Sequence, residues 1–136
     1  MILRGVGVRI LADDVKTLYD FYTEKLGFKV FWGDRNGQYV AFSEADKNEY
    51  SFALFAKTGM ADYNGYVPLY GTQKSDTVVL TTGLDDIDGY YEHLKELGVE
   101  LLGQPQDIPG WQMRCFYFRD PEGNLFEVAG KVKGAN

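Results

Sequence analysis

"ADDVKTLYDFYTEKLGF", residues 12–28, is matched 72 residues further on by "LDDIDGYYEHLKELGV", residues 84–99, and this repetition decides the fold. In the first copy Val15, Leu18, Tyr22 and Leu26 fall at helical spacing. An Asp precedes the run, where its carboxylate caps the first free amides, and Gly27 follows it as a C-terminal stop. In the second copy Ile87, Tyr90, Tyr91, Leu94 and Leu97 share a face, and Gly98 is the stop. Val15 and Ile87 are 72 residues apart and the two glycines 71 apart, so one unit is used twice.

Outward from each helix the match continues. A β-branched or apolar run precedes it, "VGVRIL" and "TVVLTT", and a strand-like piece follows it, "FKVFWG" and "VELLGQ". Then comes a hairpin, "GQYVAFSEADKNEYSFALFA" in the first half and "WQMRCFYFRDPEGNLFEVAG" in the second, each with polar turn residues between aromatic-rich strands. The predicted fold class is therefore α+β, with a strand, helix, three-strand (βαβββ) module at residues 1–56 and another at 77–130, and a tail at 131–136. A sheet with one helix leaves a face bare, so the two modules must pair and enclose a cleft. Residues 57–76, with Pro68, Tyr63, Tyr66 and Tyr70, read either as a lid packed over something or as an ordered linker.

Composition narrows the function. Hydrophobic residues make up 45% of the 136 and charged ones 25%, the balance of a soluble globular chain, and no apolar run approaches the roughly 20 residues that span a bilayer. The start "MILRGVGVRILADD" is too short in its apolar part for a secretory signal, which makes the cytoplasm the expected location. A formal charge of -6 without a basic cluster argues against nucleic acid as a partner. The single cysteine, Cys115, precludes an internal disulfide and reads as a small buried apolar residue. Ten Tyr, nine Phe and two Trp point instead to a ring-lined ligand cavity.

The first helix with its "FY...LGF" ending and the closing signature "FRDPEGNLFEV", Phe118 to Val128, resemble the vicinal oxygen chelate superfamily, over nearly the whole span from Val6 to Ala129. That superfamily includes glyoxalase I, extradiol dioxygenases, fosfomycin-resistance enzymes and bleomycin-binding proteins. The resemblance implies the glyoxalase/bleomycin-resistance fold, frequent homodimers, and, in the enzymes, a divalent metal held by four side chains on the inner faces of the sheets. Those positions fall here at Gly7, near Leu54, at Val79 and at Glu127. Three lack a donor, and a lone carboxylate leaves an ion held mostly by water. The single histidine, His93, belongs to the second helix.

Two readings follow. In the first the protein binds a small aromatic or amphipathic molecule with no metal or other cofactor, Trp32, Phe42, Phe52, Trp111, Phe116 and Phe118 providing stacking walls and Glu127, Arg9 and Arg114 fixing polar ends. In the second it is a metal-dependent lyase, isomerase or dioxygenase with Glu127 as general base or ligand. Glu127 shares a strand face with Leu125 and Ala129, while Phe126 and Val128 share the other, which the resemblance places against a helix. A tight turn at "DPEGN" sets Arg114, Phe116 and Phe118 beside Ala129, Glu127 and Leu125; a bulge shifts that pairing by one. A buried carboxylate without a metal needs a compensating donor or cation, or else its pKa rises, and Arg114 and Arg9 are the available cations.

Overall fold

The computed structural model describes residues 3–62, 76–108 and 110–132. Eight strands form one mixed sheet: β1 (Arg4–Ala12), β2 (Lys29–Gly33), β3 (Tyr39–Ser43), β4 (Phe52–Ala56), β5 (Val78–Gly83), β6 (Glu100–Ile108), β7 (Met113–Arg119) and β8 (Leu125–Lys131). Their order is β2-β3-β4-β1-β5-β8-β7-β6, so each half is contiguous and the halves meet at the first strand of each. β1 runs parallel to β4 and β5 parallel to β8, while the seam between β1 and β5 is antiparallel, with Gly7 opposite Thr81 and Arg9 opposite Val79.

The helices form where the periodicity places them. In α1 (Val15–Asp20) the Asp14 carboxylate accepts from the Lys16 and Thr17 amides, and in α3 (Ile87–Glu96) Asp86 accepts from Gly89. Gly27 and Gly98 stop them at φ +79° and +78°, left-handed backbone that a Cβ would strain. After α1 the last turn widens into a π-helix over Phe21–Lys25. There the Thr23 hydroxyl donates to the Tyr19 carbonyl at 2.8 Å, taking an acceptor that an α-turn would use.

Both helices cover one face of the sheet. α1 rests on Val40, Phe42 and Leu54, with Tyr19, Tyr22 and Phe52 completing an aromatic cluster. α3 rests on Phe116 and Val128 through its own Ile87 and Leu94. Each such fully buried aliphatic chain contributes about 1.5–3 kcal/mol, which ties the helix to its half-sheet. Phe118 stacks on Phe126 at 4.9 Å on this same face.

On the opposite face Leu11 and Phe55 of the first half belong to one buried cluster with Cys115, Tyr117 and Leu125 of the second. In a flat sheet β1 and β6 would stand four strand spacings, about 19 Å, apart. Arg9 of β1 and Ile108 of β6 nevertheless line one recess, so the sheet curls around this face. The predicted cleft is the inside of that curl.

Two details depart from the sequence reading. β6 does not end at "VELLGQ" but continues through Pro105 to Ile108 across a register shift between Leu102 and Gln106. Proline is tolerated there because β6 is the outermost strand and need not donate outward. The connection after Lys57 opens as a helix, α2 (Lys57–Asp62); Tyr63, Tyr66, Pro68 and Tyr70 lie outside the described residues. No helix among the described residues is long and apolar enough to cross a membrane.

Candidate functional site

The hairpin "FRDPEGNLFEV" determines which side chains face the cleft. Asp120 donates its amide to the Asn124 carbonyl at 3.0 Å, and Gly123, at φ +89°, donates to the Asp120 carbonyl at 2.9 Å. The loop is therefore Pro121-Glu122-Gly123, three residues with proline leading a turn and glycine in the left-handed position of a bulge. The Asp120 carboxylate fixes it by accepting from the Glu122 and Asn124 amides. The resulting register sets Tyr117 opposite Glu127, Phe116 opposite Val128 and Phe118 opposite Phe126. This is the bulged alternative, one residue away from the tight-turn pairing.

Glu127 is buried, 8% exposed, and sits beside Thr81 of β5 and Tyr117 of β7. Across the seam Arg9 reaches it with two N–H groups, Nη1 to Oε2 at 2.8 Å and Nη2 to Oε1 at 3.3 Å. The Tyr117 hydroxyl donates to Oε2 as well. The Arg9 guanidinium lies over the rings of Phe55 and Tyr39, 5.4 and 5.9 Å from their centroids. Burial alone would weaken its hold on its proton, but the Glu127 carboxylate, with Tyr117 and Tyr39, outweighs burial and keeps it charged. The site thus holds a fixed, internally neutral ion pair between modules, and of the two candidate cations Arg9 is the one at Glu127.

Two voids meet at this pair. A small inner recess is mainly apolar, with Ile108, Trp111, Met113 and Cys115 in its wall. A larger, open outer groove has a mixed lining whose polar groups include Tyr39, Tyr50, Thr81 and Thr82. Arg9 and Glu127 border both.

Of the other predicted site residues, Trp111 lies in the recess wall and is 47% exposed. Trp32, 61% exposed, stands edge-on to Tyr39 at 5.7 Å on the outer strand β2. Phe42, Phe52, Phe116 and Phe118 are not brought to the cleft: the first two pack under α1 and the others under α3. For Phe116 and Phe118 the cause is the three-residue loop, which turns the even-numbered residues of β7 to the helix side. Arg114 follows them and pairs with Asp88 of α3 at 2.9 Å and Asp107 of β6 at 3.0 Å, which holds its guanidinium above its ordinary value. Sequence reasoning missed Tyr117, Tyr39, Tyr50 and Thr81. Reading "DPEG" as a proline-led turn with a left-handed glycine would have found Tyr117.

Burial, reinforced by the Glu127 carboxylate, pushes the Tyr117 phenol well above its ordinary range; burial and the adjacent Tyr39 push Tyr50 up to about 12. An unfolded phenol titrates at about 10. Between about 10 and about 12 the unfolded chain releases protons that the folded chain retains, so stability present below pH 10 falls as pH rises through that window. A phenolate absorbance titration of the native protein will show a late step that loses one equivalent in Tyr117→Phe. An unchanged late step would mean that Tyr117 is not buried against Glu127.

Residues 6–128 match the model of the glyoxalase/bleomycin resistance protein/dioxygenase superfamily. The chain belongs to that superfamily. The uncharacterized protein YraH of Bacillus subtilis (strain 168) is 32% identical over 123 residues, covering 89% of this chain and 93% of YraH. A superfamily member from Vibrio splendidus 12B01 has the same fold at a TM-score of 0.65, with 16% identity and coverage of 94% and 98% of the two chains. The Mn(II)-bound glyoxalase of Novosphingobium aromaticivorans shares the fold at a TM-score of 0.51 and 19% identity, this chain spanning 38% of its length.

A divalent ion of the kind found in that glyoxalase does not fit the residues here. Gly7 and Val79 offer no side-chain donor, and a Cβ on Gly7 would stand 2.8 Å from the Thr81 hydroxyl. Leu54 faces α1, not the cleft; the registers Thr81 to Glu127 and Arg9 to Ala53 make Ala53 the first-half counterpart of Glu127, again without a donor. Both oxygens of Glu127 already accept from Arg9. Among the described residues no three His, Cys, Asp or Glu side chains converge on a common point.

Proposed function

We propose that this protein binds a small aromatic or amphipathic molecule in the cleft between its modules without a metal ion. The observation that carries the reading is the Arg9 guanidinium held against Glu127, the one position of the ligand set implied by the resemblance that carries a donor. A built-in cation neutralises the carboxylate and leaves it neither a ligand set nor a free base. The surroundings support retention of an organic molecule: the recess is walled by Trp111, Ile108 and Met113, and the adjoining groove of mixed character adds the hydroxyls of Tyr50, Thr81 and Thr82, so a ligand lies with its apolar part inward and its polar part at the ion pair.

Nile red, a neutral planar dye, tests this. Its fluorescence will rise saturably with one equivalent of protein, will be unchanged by a chelator, and will need about fivefold more Trp111→Ala protein for half-saturation, because stacking and area are lost together. At a hundredfold excess over Kd the dye will stabilise the fold by about 2.7 kcal/mol. Absence of saturable binding overturns the reading. So does a stoichiometric metal found by elemental analysis of protein purified without chelator, if Mn, Ni, Zn or Fe ions then raise Tm through Glu127.

A further inference from the structure

Resting on the cleft-binding reading, the hydrogen-bonding state of the ion pair specifies the polar end of the ligand. An arginine carries five N–H donors, and Arg9 commits two to Glu127. Among the described residues no protein group accepts from the other three. Glu127 Oε2 accepts from Arg9 and Tyr117, whereas Oε1 accepts a single bond of 3.3 Å and keeps a lone pair to offer. Unused donors and an unused acceptor therefore stand side by side on one charge-neutral surface. Thr81, directly opposite Glu127 on β5, adds a hydroxyl that the absent Cβ of Gly7 leaves room for.

Charge decides between ligand classes. A carboxylate or diolate would find donors in Arg9 but would press against Glu127, and a cation would meet Arg9; either brings an uncompensated charge to a pair whose side chains are 13% and 10% exposed. A neutral group with a carbonyl acceptor next to an N–H donor uses both halves of the surface and strands no charge. We infer that the cleft selects uncharged ligands whose polar end is an amide, lactam or imide, the carbonyl accepting from Arg9 and the N–H donating to Glu127 Oε1, with the aromatic part in the recess beside Trp111.

Three probes of one shape test this by calorimetry at pH 7: naphthalene-2-carboxamide, naphthalene-2-carboxylate and 2-methylnaphthalene. The amide is expected to bind about tenfold or more tightly than the carboxylate, since like-charge contact in a desolvated site is strongly unfavourable, and more tightly than the hydrocarbon. Glu127→Gln leaves Arg9 unneutralised, so the order of amide and carboxylate will reverse in that variant, its fold checked by circular dichroism. The wild-type comparison needs no variant and stands if Glu127→Gln fails to fold. Equal affinities for the three probes, or a carboxylate preferred by the wild type, overturn the amide assignment while leaving cleft binding intact. If no probe binds and Nile red also fails, the cleft-binding reading falls with it.

Discussion

Arg9→Met will lower the unfolding free energy by about 3–5 kcal/mol, because it strips the neutralising charge from a buried carboxylate while keeping much of the aliphatic stem. Glu127 is 8% exposed and would be left with Tyr117 alone as a hydrogen-bond donor of those that now hold it. For a chain of this size the loss corresponds to a fall in Tm of roughly 10–20 °C. Glu127→Gln will also destabilise, by exposing Arg9 to the same deficit. The double variant Arg9→Met/Glu127→Gln removes both charges and still offers Tyr117 an acceptor, so its cost is expected to be below about 2 kcal/mol. Urea unfolding of the four proteins closes the cycle. A single Arg9→Met costing less than about 1 kcal/mol, the range of a surface pair, would show that water reaches this ion pair and that the charge argument for ligand selection fails.

Phe116→Ala is the second large effect. Phe116 is fully buried and touches Tyr91 edge-on at 5.3 Å beneath α3, so truncation opens a cavity in a packed core and will cost about 3–5 kcal/mol. Its side chain packs on the helix side of the sheet, away from the cleft, and the affinity of naphthalene-2-carboxamide measured on the folded protein will stay within about twofold. Trp111→Ala should behave in the opposite sense, changing stability by less than about 1 kcal/mol at a half-exposed turn while weakening binding. Loss of binding with little loss of stability in Phe116→Ala would return that ring to the cleft and refute the register of the last hairpin.

Those two variants mark the limit of what could be read from sequence. The helices, their caps, the stops at Gly27 and Gly98 and the succession of strands and helices along the chain were legible because each depends on neighbours within a few residues. So was the orientation of β8, where Glu127 and Phe126 must face opposite sides. The hairpin register depended on one loop residue, and a strand displaced by one shows its other face entirely. That single step exchanged Phe116 and Phe118 for Tyr117, and a comparable step of one separates Leu54 from Ala53. The Arg9 contact was harder to see. Its partners are 118 residues apart and meet only because β1, β5 and β8 are consecutive in the sheet. No local pattern carries that adjacency, although the need of a buried acid for a cation left Arg9 as one of two choices.

The seam between β1 and β5 relates the two modules by an approximate twofold, under which Arg9 corresponds to Thr81 and Glu127 to Ala53. A single ion placed on such an axis looks much the same from either module, and a flat guest can turn over without penalty. An arginine given by one half and a glutamate by the other have no such equivalence. Duplication built the cleft as a near-palindrome, and these two side chains give it a direction, so that a guest has one way round to enter.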